Sequence, residues 1–297
     1  MHDDQIAIDV DAVRAMVGEQ FPQYRGQPIE RLKVEGTVNA IFRIGAEAAA
    51  RFPFRATDPA LCSKTLADEA AAMAELVQHC PFPTPRPLGL GRPGAGYALP
   101  WSMQTWVAGN VATPDGLARS ETLALDLVTL ISTLRAADTR GRPFDGNGRG
   151  GDLQDHDAWM SVCFEKSEGL LDVPRLRQLW AKFRELPRPG RFVMSHKDLI
   201  PGNLLVDGEH LVGVLDGGGF GPADPALDLV AAWHLFEYEA RQTLRERLEA
   251  SVIEWQRGAA WAFQQAMGLV WYYQHSNPGM AALGRSTLRR ILDDADI

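Results

Sequence analysis

The first third of the chain alternates short apolar runs with glycine and proline. "PIERLKV" (28–34), "TVNAIFRI" (37–44) and "EAAARF" (47–52) are separated by Gly36 and by a Gly-Ala-Glu turn, and they predict three antiparallel strands. The period then changes. Thr57 or Asp58 can cap a helix whose first residue is Pro59, with Leu61, Leu66, Met73 and Val77 near one stripe and Pro81 as the stop. "PRPLGLG" and "GYALPWSMQTWV" return to extended character. The pattern is a small sheet with one long helix, complete by about Val107.

Beyond that point the helical period dominates. Leu123, Leu127, Leu130, Ile131 and Leu134 recur at helical spacing over 120–136 behind a Ser120 cap. Residues 138–153, "DTRGRPFDGNGRGGDL", form a glycine-rich connection too long for a plain turn, hence functional or mobile. Helices are expected around 156–169 and 174–186, and amphipathic segments at about 226–237, 240–266 and 279–293 close the chain. The expected class is α+β, with a β-rich region at 1–107 and a mainly helical one at 108–297.

Composition narrows the possibilities. Hydrophobic residues make up 45% and charged residues 23% of the 297, ordinary for a globular protein with an ample core. No apolar run approaches a membrane span, and the acidic start "MHDDQIAIDVDAV" lacks the basic and apolar regions of a signal peptide. Cys62, Cys80 and Cys163 are far apart and without CxxC spacing, so they read as reduced residues of a cytoplasmic protein. A net charge of −8 argues against nucleic acid as the main partner. Most of that charge lies late: residues 108–297 carry 20 Lys and Arg against 26 Asp and Glu, and Asp216 to Glu239 holds five acids and no Lys or Arg. Such a surface either serves solubility or attracts a cation.

The candidate chemistry lies in "SHKDLIPGNLLVDGEHLVGVLDGGGFG" (195–221). "FVMS" and "NLLVD" read as strands, and Asp207–Gly208 turns the second into "HLVGVLD", a hairpin. A hairpin brings its entry and exit together, so Asn203 and Asp216 should face one pocket, with Asp198 on the loop before it. An amide and a carboxylate converging there suit a hard cation such as Mg²⁺. The spacing from His196 through Asp198 to Asn203, followed by Asp216-Gly-Gly, matches the kinase catalytic loop and its downstream Asp-Phe-Gly.

With these residues the chain resembles the aminoglycoside phosphotransferase family, antibiotic kinases built like a protein kinase. The resemblance covers nearly the whole length, through "RFPFRATDPALCSKTLADEAAAMAEL", "PWSMQTWVAGNVA", "HKDLIPGNLLV", "LDGGGFGPADPALDLVAAWHLF" and "WAFQQAMGLVWYYQHSNP". It implies a two-lobed, protein-kinase-like fold with a small β-rich N-lobe and a mainly helical C-lobe. It also implies that Asp198 orients or deprotonates an acceptor hydroxyl, and that Asn203 and Asp216 hold Mg²⁺ on the phosphates of ATP, GTP being open. Gln104, Trp106 and Val107 would belong to the hinge that meets adenine, with Leu205 beneath the base. Asp228 would brace the catalytic loop, and His196 would pack under it.

Three departures from the family pattern stand out. "EGTVNAIFRIG" has no GxGxxG, which leaves Gly36 and Asn39 to shape the phosphate loop. Arg51 occupies the place of the phosphate-binding lysine, with Glu69 as its expected ion-pair partner and Lys33 as the alternative phosphate ligand. Lys197 replaces the glycine of His-Gly-Asp; it could assist the γ-phosphate or discourage a cationic acceptor, but is expected to point to solvent.

For the acceptor, Asp157, Glu237 and Glu239 could bind amines and Trp233 and Trp271 could line a pocket. Such residues are more often solvated acids and core aromatics. The expected activity is transfer of the ATP γ-phosphoryl group to a hydroxyl of a small molecule, first an aminoglycoside. A macrolide or other antibiotic, a choline- or sugar-type metabolite, and a non-catalytic nucleotide binder are the alternatives. The intact Asp198, Asn203 and Asp216 speak against the last. Monomer and homodimer are both open.

Overall fold

A capping aspartate starts the first helix. Asp9 Oδ1 accepts from the Ala12 N–H, and α1 (Val10–Gln20) buries Val13, Met16 and Val17. No helix is expected here from the sequence, because a stripe of three apolar residues among acids carries little periodicity. The computed structural model describes residues 8–32, 39–54 and 57–297. Lys33, Gly36 and most of the expected phosphate loop therefore lie outside the described residues.

The predicted strands follow as β1 (Ile29–Arg31), β2 (Asn39–Ile44) and β3 (Ala48–Pro53). Next comes α2 (Pro59–His79), where Asp58 Oδ1 accepts from the N–H groups of Ala60 and Leu61. Its buried face is Cys62, Leu66, Met73 and Leu76. Leu61, expected on that face, is exposed, and Val77 is only half-buried. Each lies one residue, about 100°, off a stripe that steps by three and four. Strands β4 (Pro87–Gly91) and β5 (Trp101–Thr105) complete an antiparallel sheet of order β1-β2-β3-β5-β4 among the described residues. Its core centres on Phe52, whose ring stacks on Trp101 at 4.8 Å and meets Phe42 and Tyr97 edge-on. Gly91 is required there, since a Cβ would stand 2.0 Å from the Trp101 indole.

These elements form one compact unit, Met1–Gln78, Pro83–Ala108 and Asp216–Gly218; the other is His79–Phe82, Gly109–Leu215 and Gly219–Ile297. The second unit runs through β6 (Asn110–Val111), α3 (Pro114–Leu117) and α4 (Glu121–Ala136). Ser120 Oγ caps α4 by accepting from Leu123, and the five predicted apolar residues are buried. After α5 (Asp157–Lys166) and α6 (Val173–Phe183) come β7 (Val193–Ser195), β8 (Leu204–Asp207), β9 (His210–Val214) and β10 (Gly221–Ala223). Strands β8 and β9 make the predicted hairpin, β6 joins its edge, and β7 pairs with β10.

Four helices close the chain: α7 (Val230–Leu235), α8 (Tyr238–Arg247), α9 (Val252–Tyr272) and α10 (Pro278–Leu292). The segment expected as one helix over 240–266 is two. Glu249 turns left-handed at φ +52°, and Ser251 caps the new helix by accepting from Glu254. Among the described residues no helix is long and apolar enough to cross a membrane. The three cysteines are free, and burial pushes the Cys163 thiol up to about 11, which suits an unreactive core residue.

Helix α9 is anchored by a buried ion pair. Arg257 Nη2 lies 2.6 Å from Asp224 Oδ2, and each side chain is 2% exposed. Asp224 also accepts from Trp261 Nε1, while Arg257 donates to the carbonyls of Pro187 and Gly151. Breaking such a pair strands a charge. Arg257→Ala should lower unfolding free energy by about 3–5 kcal/mol, measured by urea denaturation. A loss below about 1 kcal/mol would mean that Asp224 finds another partner.

Candidate active site

Strand β7 delivers the chain to a loop that one carboxylate holds. Asp228, on a 3₁₀ turn before α7, is 1% exposed. Its Oδ1 accepts from Ser195 Oγ at 2.9 Å and from the Lys197 N–H at 3.1 Å, and its Oδ2 accepts from the His196 N–H at 3.0 Å. The His196 ring is fully buried, with Nε2 2.9 Å from the Leu215 carbonyl. The Leu215 N–H in turn donates to the Asn203 carbonyl, and Asp216 is the next residue.

Asp198 is met by three donors. Asn203 Nδ2 reaches Oδ2 at 3.0 Å and the Asp198 carbonyl at 2.9 Å. Gln265 Nε2 and Arg149 Nη2 both reach Oδ1, at 2.9 and 2.7 Å. Sequence reasoning missed Gln265 and Arg149. The signals available were an amide on an otherwise apolar helix and an arginine inside "GNGRGG". Behind Gln265 stands a buried relay. Its Oε1 lies 3.1 Å from His234 Nε2, and His234 Nδ1 lies 2.8 Å from Thr287 Oγ1. With Gln265 Oε1 facing Nε2, a neutral His234 protonated on Nε2 donates to Gln265, and Gln265 Nε2 donates to Asp198; Thr287 Oγ1 lies within hydrogen-bond reach of both His234 Nδ1 and the Leu283 carbonyl.

Lys197 does not point to solvent. Its side chain is 13% exposed, with Nζ 3.4 Å from Asp145 Oδ2 and 5.2 Å from the Phe144 ring centre. Its φ of +71° explains why glycine suits this position, since an L-residue there costs about 1–2 kcal/mol. Asp216 is also left-handed, at φ +59°.

The other cluster belongs to the first unit. Arg51 Nη2 lies 3.0 Å from Asp216 Oδ1, so the pair expected between Arg51 and Glu69 is replaced by one to Asp216. Glu69 stands nearby, pressed on Gly218. Burial raises its carboxyl above the usual range, with Arg51 opposing and Asp216 reinforcing the shift. A Cβ on Gly217 would come 2.3 Å from Leu76 Cδ2, which is why Asp216 is followed by glycines: α2 approaches too closely for a side chain. Of the expected metal set, Asn203 lies in the second unit and Asp216 in the first. An amide oxygen and a carboxylate are each of the hard-oxygen kind that Mg²⁺ takes, with phosphate and water oxygens completing its shell. Among the described residues no cluster of three His, Cys, Asp or Glu could hold a metal alone.

The expected hinge residues lie in or beside the first sheet. Gln104 pairs with Ala49 and Pro87, and the Trp106 N–H donates to the Glu47 carbonyl while its ring faces the Arg43 guanidinium at 4.9 Å. Val107 follows, half-buried, and Asn39 is buried opposite Pro53. In the second unit, Leu205 is buried on β8 opposite Val111 and Gly213.

The acceptor residues expected from sequence fare differently. Trp233 is fully buried between Trp255 and the Arg241 guanidinium, because α7 is buried along its whole length, so it lines no pocket. Trp271 is half-buried against Trp159 and Tyr272. Asp157 is bonded by Arg184 and Trp180, and the Arg184 contact holds it below the ordinary carboxylate range. Burial alone would raise the Glu237 carboxyl, but Arg289 and Arg290 outweigh burial and lower it. Arginines thus pair with several of the acids of this unit, Asp224, Asp294 and Glu254 included, although acids still outnumber Lys and Arg over 108–297.

Comparison with known proteins bears on the family and the fold. Residues 31–261, most of the chain, match the family described as phosphotransferase enzyme family. The chain resembles a GDP and kanamycin complex of APH(2")-IIia, with 18% identity, TM-score 0.69, and coverage of 94% of this chain and 97% of that one. It also resembles the apoenzyme of macrolide 2'-phosphotransferase MphH from Brachybacterium faecium, with 18% identity, TM-score 0.62, and coverage of 94% and 98%. A third likeness is ADP-bound aminoglycoside phosphotransferase APH(2'')-Ib, with 13% identity, TM-score 0.60, and coverage of 96% and 99%. These likenesses carry the kinase-like α+β fold. No curated protein matches the chain.

The relay behind Asp198 has a pH signature. Burial lowers the His234 imidazole to about 4 from its ordinary 6.5. The unfolded chain takes up that proton first, so the associated stability is present above about pH 6.5 and is lost as pH falls toward 4. His234→Asn should flatten this acid limb, read as urea midpoints across the window. An unchanged slope would assign the acid sensitivity elsewhere.

Proposed function

The chain belongs to the phosphotransferase enzyme family, and we propose that it transfers the γ-phosphoryl group of ATP to a hydroxyl of a small antibiotic. The observation that carries this reading is Asp198, a carboxylate fixed by three donors on a loop pinned by a buried aspartate. Such a group can accept the proton of an acceptor hydroxyl as its oxygen attacks the γ-phosphorus. The bond to the bridging oxygen then breaks, and the nucleoside diphosphate leaves.

Asn203 and Asp216 would hold Mg²⁺, which when bound neutralises charge on the phosphates. Arg51 supports the same reading, since its guanidinium can turn from Asp216 to a phosphate oxygen. Residues 1–107 would serve the nucleotide and residues 108–297 the acceptor.

Two acceptor classes compete. The acidic balance of the sequence favours an aminoglycoside, but Asp157 and Glu237 are matched to arginines. That pairing favours the second reading, a macrolide or another acceptor with few amines.

A coupled ADP-release assay over aminoglycosides, macrolides and amino alcohols tests the activity. Asp198→Asn should lower kcat by at least about a hundredfold. Near-normal turnover in that variant would remove Asp198 from the mechanism.

A further inference from the structure

We propose that Arg149 selects the acceptor: its guanidinium rejects polyamines from Asp198 and receives an anionic or carbonyl oxygen beside the reacting hydroxyl. This rests on reading Asp198 as the group that meets the acceptor. Three observations lead to it.

Arg149 is the cation among the donors bonded to Asp198, with Nη2 at 2.7 Å from Oδ1. An ammonium group approaching that carboxylate would meet a like charge in a partly desolvated setting, where repulsion is stronger than in water. The guanidinium is also incompletely used. The side chain is 24% exposed, and among the described residues its Nε is buried without a hydrogen-bond partner. Since that Nε is enclosed, it is the exposed part of the planar fork, beside Asp198, that is suited to an oxygen-bearing group of the acceptor.

The backbone is built to present this side chain. On one side, the Gly150 carbonyl accepts from the Asp224 N–H, and a Cβ at Gly150 would stand 2.7 Å from Ala223 Cβ. Gly151 accepts from Arg257. On the other side, Gly146 and Gly148 are left-handed, at φ +78° and +66°, with open space around both. Arg149 therefore has a fixed base, and on its other side Gly146 and Gly148 offer open space while Phe144 and Asp145 are engaged by Lys197. The fixed base presents the side chain to Asp198 from one direction.

The test is calorimetry on the full chain with bound ADP, for wild type, Arg149→Ala and Arg149→Lys. The probes are kanamycin as the polyamine, erythromycin as an oxygen-rich compound with one amine, and glycerate as a hydroxy acid. Kanamycin affinity should rise at least about tenfold in Arg149→Ala and stay near wild type in Arg149→Lys, which keeps the charge. Erythromycin or glycerate should bind wild type better than kanamycin does, and should weaken at least about tenfold in Arg149→Ala. Equal kanamycin affinity in all three proteins, or kanamycin as the tightest wild-type ligand, would overturn the assignment. If the affinities shift as expected while Mg²⁺ and ATP phosphorylate none of the probes, the reading of these compounds as acceptors fails and the role of Arg149 in binding stands.

Discussion

One buried carboxylate organises the loop that bears Asp198. Asp228 gathers a side-chain hydroxyl and two consecutive backbone N–H groups from Ser195, His196 and Lys197, in a site with almost no solvent. A buried charge is tolerable only when it is well bonded, so this arrangement strongly favours one loop conformation over its alternatives. Asp198 is the next residue, and its direction follows from that conformation. The His196 ring then links the loop to Leu215, and Leu215 to Asn203, so the hairpin and the loop share one set of hydrogen bonds.

The backbone also carries local strain at this place. Lys197 and Asp216 both lie in the left-handed region, where glycine is the unstrained choice. The brace on Asp228 and the pairing with Asp145 offset the cost at Lys197; the Arg51 ion pair is the counterpart at Asp216. Strained residues on either side of Asp198 and Asn203 mark a place whose geometry is set by its surroundings rather than by local preference.

Charge is handled the same way throughout the second unit. Net charge suggests an acidic surface, yet arginines take up Asp157, Asp224, Glu237, Glu254 and Asp294. Two of these pairs, Asp224 with Arg257 and Asp294 with Arg241, are buried, where screening is weak and an unpaired acid would be costly. Acidity counted along the chain is therefore a poor guide to the field at Asp198, where the nearest formal charge is positive.

The sequence alone determined what depends on local order. Turn residues and spacing identified the β8–β9 hairpin, the Ser120 cap, the long helix after Asp58, and the loop bearing Asp198 and Asn203. Such features are set by neighbours within a few residues, through backbone preference and hydrophobic period. What tertiary structure decided are the partners across long separations: Arg51 with Asp216, Arg149 and Gln265 with Asp198, and Trp233 enclosed by Trp255 and Arg241. A guanidinium has no sequence-local reason to choose one carboxylate over another. The choice follows from which side chains the packed helices bring within 3 Å or so, and from the cost of leaving a buried charge alone.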